Sequence, residues 1–167
     1  MTAAPFRIEA LSPAHPRSDF DCGSPPLDRY LKEQVGQDVR RRVASCFVAV
    51  DVETGAVAGY FTLAAAGVPL TDLPDALARR LPRYPSVPVA RLGRLAVDRR
   101  HQGRQLGAAL LWDAVQRALQ SPVATFAVMV DAKDESAARF YQRHGFIAFA
   151  HAPLQMVLPL AGLKSAN

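Results

Sequence analysis

The sequence predicts a mixed α/β fold: a mixed central β-sheet of six to seven strands with helices on both faces, residues 1–167 forming one domain. Three observations predict it. Short β-branched, apolar runs recur along the chain, and in its second half they alternate with segments of helical apolar spacing, the pattern of strand–helix crossovers. Half of the residues are apolar, enough for a real core at this length. No internal repeat or linker interrupts the series.

Taken in order, Phe6–Ala10 reads as a short first strand, followed by a loop over His15–Gly23. Ser24 followed by Pro25 and Pro26 reads as an N-cap with proline in the first turn, where a missing N–H costs nothing. Leu27, Tyr30, Leu31 and Val35 then share one face of an amphipathic helix that ends near Arg40–Arg42. Val43–Val50 and Val57–Ala66, joined by the Glu53-Thr54-Gly55 turn, read as an antiparallel hairpin with both strands largely buried. Five prolines make the 69–88 region mostly irregular, with a short helix over Leu73–Leu81. Val87–Val97 is a strand, roughly 104–120 a helix, Thr125–Val130 a strand and Glu135–His144 a helix closed by Gly145. Phe146–Ala150 and Gln155–Leu158 are the closing strands.

Composition narrows the function. No stretch is long and apolar enough for a membrane span, and Met1–Leu11 carries Arg7 and Glu9 where a signal peptide needs an apolar run. Cys22 and Cys46 lie far apart without metal-ligand spacing, so a cytoplasmic protein with reduced thiols and no metal is expected. Cys46 reads as core and Cys22 as a structural cysteine against the first helix. The net charge is +5, with basic clusters at Arg40–Arg42, at Arg79, Arg80 and Arg83, and at Arg91, Arg94, Arg99, Arg100 and Arg104. Such clusters suit a phosphorylated cofactor or a nucleic acid, and equally a solvated surface.

The most informative stretch runs from the strand ending Leu95-Ala96-Val97 through a loop rich in Arg, Gln and Gly into the 104–120 helix. A helix N-terminus offers unpaired N–H groups and the positive end of the dipole, a ready site for a pyrophosphate. Gly103 and Gly107 remove side chains where the backbone must come close. On local evidence alone the same segment is also an ordinary strand-to-helix turn with capping glycines.

The run Gln102-Gly103-Arg104-Gln105-Leu106-Gly107 resembles the acetyl-CoA loop of the GNAT family of N-acetyltransferases, whose pattern is Gln/Arg-x-x-Gly-x-Gly/Ala. Asp134-Glu-Ser-Ala-Ala-Arg-Phe-Tyr-Gln-Arg-His-Gly-Phe146 resembles the family's Asn-x-x-Ala-x-x-x-Tyr…Gly-Phe segment. Two positions depart from the pattern: Gln105 stands where glycine is usual, and Asp134 where Asn is common. The segments Phe20–Leu31, Gly59–Ala64 and Val89–Asp98 are similar to the acetyltransferase toxins of toxin–antitoxin pairs, the TacT-like group.

The resemblance implies a GNAT fold and acetyl-CoA bound by Leu95, Ala96, Val97, Gln102, Gly103, Arg104, Gln105, Leu106, Gly107 and Ala108, with Asp134 on the pantetheine side. Phe140 is carried with this set, although its own position reads chiefly as core. The resemblance further implies Tyr141 as the acid that protonates the departing CoA thiolate; without it, a core tyrosine would account for the same residue. Arg91 and Arg94 precede the site, and at least one is expected to face acceptor phosphates, the plain alternative being a surface salt bridge. The acceptor implied is the α-amine of aminoacyl-tRNA, whose acetylation blocks translation, with a ribbon-helix-helix antitoxin as partner and a homodimer compatible with the group. A housekeeping enzyme acting on a protein N-terminus or small amine would share every cofactor residue, and a binding module without turnover would keep the fold. No side chain stands out as a general base, so deprotonation through water is expected.

Overall fold

A computed structural model describes residues 5–163; the extreme ends of the expected domain, including the start of the Met1–Leu11 reading, lie outside the described residues. Seven strands form one mixed sheet in the order β1-β2-β3-β4-β5-β7-β6. They are β1 (Phe6–Ala10), β2 (Ser45–Asp51), β3 (Val57–Pro69), β4 (Ser86–Val97), β5 (Ala127–Asp131), β6 (Ile147–Phe149) and β7 (Ala152–Pro159). The helices are α1 (Pro25–Arg29), α2 (Val35–Arg40), α3 (Asp75–Ala78), α4 (Leu106–Gln120) and α5 (Glu135–Arg143). The chain divides into two compact units, one made of residues up to Ala64 with Gly93–Ala114, the other of Ala65–Leu92 with the rest of the chain.

In the first unit β1, β2 and β3 pair antiparallel, with Phe47 opposite Phe61 and Val48 opposite Tyr60. Alternation divides these residues between two faces. On one face Val48, Val50, Tyr60 and Ala96 pack with Leu31 and Val35 of the helical run 25–40. On the other, α4 comes so close that a Cβ on Gly59 would stand 2.8 Å from Leu110 Cδ1 and 2.9 Å from the Ala96 carbonyl oxygen. Only glycine fits there, and helices cover both faces as expected.

The helical run 25–40 is interrupted. Tyr30–Gln34 forms a π turn between α1 and α2, closed by the Val35 N–H donating to the Tyr30 carbonyl. Ser24 holds the N-cap position without a side-chain bond; instead Asp28 Oδ1 reaches back to accept the Cys22 N–H at 2.9 Å.

In the second unit β4 runs parallel to β5, Val89–Leu92 against Ala127–Val130, and β5 pairs antiparallel with β7. Val68, Val87, Val89, Ala127, Met129 and Val157 form its core with Leu73 and Leu77. The expected helix over Leu73–Leu81 shrinks to the single turn α3 after a 3-10 turn at Leu70–Asp72, because the flanking prolines leave few N–H donors to extend it. Among the described residues no helix is long and apolar enough to cross a membrane.

Candidate active site

The first unit carries the expected cofactor loop. β4 ends at Val97, and Asp98 turns the chain into a 3-10 turn, Arg99–His101. Asp98 is 1% exposed, and its carboxylate gathers four donors. Oδ1 accepts the Arg100 N–H at 2.9 Å and its Nε at 3.0 Å, while Oδ2 accepts the Asp21 N–H at 3.0 Å and Arg100 Nη2 at 3.2 Å. The Arg99 N–H donates to the Asp21 carbonyl at 2.8 Å. The turn entering α1 and the turn leaving β4 are thereby tied through one carboxylate. Burial alone would push that carboxyl up, but its hydrogen bonds from Arg100 and from the Asp21 and Arg100 amides outweigh it and hold the pKa at about 2.

His101 is buried behind this turn, with Nε2 3.2 Å from Asp51 Oδ2 on β2 and its ring edge-on to Phe6. Sequence reasoning assigned no role to Asp98, His101 or Asp51. Asp98 left a readable signal, since an Asp two residues before a backbone N–H often accepts from it at a turn. The His101–Asp51 contact left none, because its partners lie 50 residues apart.

Past this anchor the loop has two residues in left-handed backbone. Gly103 has φ 80°, and Gln105 has φ 61°, a region that costs a side-chain-bearing residue about 1–2 kcal/mol. Glycine at the Gln105 position in the related pattern is therefore explained by conformation, not only by room for phosphate. Gln102 turns inward: its Nε2 donates to the Val97 carbonyl at 3.0 Å and the Cys22 carbonyl at 3.4 Å, so its side chain braces the loop. Arg104 lies over the Phe6 ring, its guanidinium carbon 4.8 Å from the centroid. Leu106 is buried beneath Gly59, whereas Gly107 and Ala108 are half-buried in the first turn of α4. At β4, Leu95 and Val97 are half-buried and Ala96 belongs to the core.

Arg94 belongs to the same unit and stacks on Tyr30, the guanidinium carbon 3.5 Å from the ring centroid. The remaining arginines of this stretch are largely engaged: Arg100 with Asp98 and Arg99 with Asp21. The clusters Arg40–Arg42 and Arg79, Arg80 and Arg83 are exposed.

The second unit carries the rest of the expected site. Arg91 is spent on an ion pair with Asp131, the surface salt bridge named as its plain alternative. Asp134 caps α5, accepting the Ala137 N–H at 2.8 Å, which directs its carboxylate to the helix end. Tyr141 is 9% exposed, its ring against Phe140 and Phe146, and burial pushes the phenol up to about 12. Such a phenol holds its proton at neutral pH. Phe140 is half-buried, its ring near His144. His144 closes α5 with Nδ1 2.8 Å from the Phe140 carbonyl oxygen.

Both cysteines are structural. Burial pushes the Cys46 thiol up to about 12, and burial with the nearby Asp28 pushes Cys22 up to about 11. Among the described residues no group of three or more His, Cys, Asp or Glu could hold a metal ion.

The model of the acetyltransferase (GNAT) family matches residues 8–146, from β1 to the turn after α5. A tRNA-acetylating toxin of Mycobacterium tuberculosis is 36% identical over 158 residues, 93% of this chain and 91% of that protein. Among solved structures, a Tyr-to-Phe mutant of KacT is similar with a TM-score of 0.86 at 26% identity, covering 94% of this chain and 96% of that one. AtaT complexed with acetyl-methionyl-tRNAfMet gives a TM-score of 0.83 at 27% identity, covering 92% and 94%. With the β4–loop–α4 and β5–α5 segments both inside the matched span, the chain belongs to the acetyltransferase (GNAT) family.

Proposed function

We propose that this chain is a toxin that transfers the acetyl group of acetyl-CoA to the α-amine of aminoacyl-tRNA, its two units acting as one cytoplasmic acetyltransferase domain. The observation that carries the cofactor half is the Gln102–Gly107 turn with two left-handed residues, opening directly into the 15-residue α4. Its free N–H groups and helix dipole suit a pyrophosphate. Leu95 and Val97 continue past the register that pairs β4 with β5, so we assign their backbone groups to the amides of the pantetheine arm. The Val97 carbonyl already accepts from Gln102, so Leu95 is the better candidate for that pairing.

In the reaction the unprotonated amine attacks the thioester carbonyl, the C–N bond forms, and the C–S bond breaks to release CoA thiolate. Tyr141, still protonated at neutral pH, supplies the thiolate's proton, while an N–H of β4 stabilises the oxyanion. An α-amine titrates near 8 against about 10.4 for lysine, so water suffices to deprotonate it. Support for a tRNA acceptor comes from the tRNA-acetylating relative that matches nearly the whole chain and from the exposed arginine clusters. We assign the same group's remaining partners here: a ribbon-helix-helix antitoxin and a second copy of the chain.

The test is expression without a partner, followed by assay of purified protein on charged tRNA with labelled acetyl-CoA. Wild-type protein should arrest growth and label the α-amine; Tyr141→Phe should relieve arrest and lower kcat about 10²- to 10³-fold with acetyl-CoA affinity unchanged. Harmless wild-type expression, or labelling of free amines in preference to charged tRNA, overturns the reading.

A further inference from the structure

The π turn at Tyr30–Gln34 has no role in the cofactor half, and three features converge on it. Tyr30 is fixed in place: it is 6% exposed, its hydroxyl donates to Asp38 Oδ2 at 2.8 Å, and its ring lies nearly parallel to that of Tyr60. Arg94 rests on that ring at stacking distance. Beside the pair opens a cavity of about 350 Å³, walled by Leu27, Arg29, Glu33 and Gln34. π turns occur often at functional sites, where the extra residue redirects side chains.

Arg94 differs from its neighbours in charge pairing. Arg91, Arg99 and Arg100 each have a carboxylate partner. Among the described residues Arg94 has none; Asp38 is near enough to feel its charge but gives its oxygens to Tyr30 and Gln34. Arg94 is therefore a guanidinium with its plane held and its edge donors unspent.

The chemistry of the walls narrows the occupant. A bare phosphate would find the cations Arg29 and Arg94 but would also meet the Glu33 carboxylate. A flat, neutral group with both donors and acceptors uses more of the lining: the Arg94 plane to stack on, the apolar surface of Leu27, the Glu33 carboxylate and the Gln34 carbonyl as acceptors, the Gln34 Nε2 being shared with Asp38, and Arg29 as a further donor. Unpaired nucleobases are recognised in this way, stacked on aromatic rings or arginine planes and hydrogen-bonded along their edges. The volume is in the range of small-molecule sites and large enough for one nucleoside. Position fits too, because Arg94 directly precedes Leu95, and the reacting amine of an aminoacyl-RNA hangs one ester away from its terminal ribose.

We propose that the Arg94–Tyr30 pair and its cavity seat the unpaired 3′-terminal base of the aminoacyl-RNA acceptor. This rests on the acetylation of aminoacyl-tRNA proposed above. The test compares a charged minihelix ending in adenosine with one ending in an abasic ribose, for wild type, Arg94→Lys and Glu33→Gln. Wild type should lose on the order of 10- to 100-fold in kcat/KM on the abasic substrate. Arg94→Lys, which keeps the charge and loses the plane, should lose a similar factor on the adenosine substrate and little more on the abasic one, with KM for acetyl-CoA unchanged. Glu33→Gln, an isosteric change at an exposed position of the π turn, should lose activity only on the adenosine substrate, with an unfolding midpoint at that of wild type. Losses that multiply, or an Arg94→Lys within twofold of wild type, overturn the assignment of the cavity alone. A wild-type protein that acetylates no charged RNA overturns the acetylation reading and this one with it.

Discussion

Replacing Asp98 by Asn tests how the proposed cofactor loop is held. The two side chains have the same shape, so no cavity opens and the change acts on hydrogen bonding alone. Asn can present its carbonyl to one pair of donors, but its NH₂ then faces the other pair, either at Oδ1 (Arg100 N and Nε) or at Oδ2 (Asp21 N and Arg100 Nη2). Hydrogen bonds to a buried charged group are worth about 1.5–3 kcal/mol, and Arg100, being 59% exposed, recovers part of its loss from water. The expected cost is about 2–3 kcal/mol. Titration gives a similar figure: a carboxyl at about 2 in the folded chain against an ordinary 3.8 corresponds to about 2 kcal/mol. Because the folded pKa lies below the unfolded one, this stabilisation is complete above about pH 4 and disappears as pH falls towards 2. Urea unfolding of wild type and Asp98→Asn at pH 7, 5, 4 and 3 should show a constant difference down to pH 5 and a shrinking one below pH 4. A difference under about 0.5 kcal/mol at pH 7, the usual scatter of surface substitutions, refutes the account, as does a gap at pH 3 as large as the one at pH 7.

Gln105→Gly should keep stability within about 1 kcal/mol of wild type, because relief of the left-handed backbone offsets the added freedom of the unfolded chain. Gln105→Val, β-branched at the same φ, should lower the urea midpoint and weaken acetyl-CoA binding by titration calorimetry; a valine variant as stable as wild type would show that the loop does not hold this conformation. Gly59→Ala should cost about 2–3 kcal/mol, since its Cβ meets the Ala96 carbonyl, which is backbone and cannot rotate aside. Unfolding at the wild-type urea concentration would contradict that packing.

Most strands were legible because they bury apolar side chains from a short contiguous run, and β1 because its apolar residues alternate with charged ones, both local patterns. The β2–β3 hairpin follows directly from two such runs and a Glu-Thr-Gly turn, and the observed pairing matches it. The helical run 25–40 was legible in extent but not in its π turn, whose cause is tertiary: Tyr30 must satisfy Asp38 while its ring receives Arg94 from a strand more than sixty residues away. The arginines show the same division. Their sequence clustering suggested one shared anionic partner, yet Arg91, Arg99 and Arg100 are neutralised by Asp131, Asp21 and Asp98, and the chain alone does not disclose which carboxylate lies opposite which guanidinium.

That division bears on the proposed active site as well. The loop proposed for the pyrophosphate was legible as a strand–loop–helix turn because its glycines, preceding strand and following helix are adjacent in sequence, and phosphate recognition by backbone N–H groups needs little else. What holds that loop in shape was not legible, since Asp98, Gln102 and His101 reach Asp21, Cys22 and Asp51 across the fold. The consequence is that the proposed cofactor loop and the turn into the first helix are fastened by the same carboxylate. Asp98 accepts from Asp21, four residues before α1, and α1 leads into the π turn that carries Tyr30. Asp98→Asn should therefore weaken acetyl-CoA binding and raise KM for charged tRNA together, by comparable factors, under conditions where the variant is fully folded. A variant that loses only acetyl-CoA affinity, with KM for the acceptor unchanged, would show that the two turns touch without being coupled.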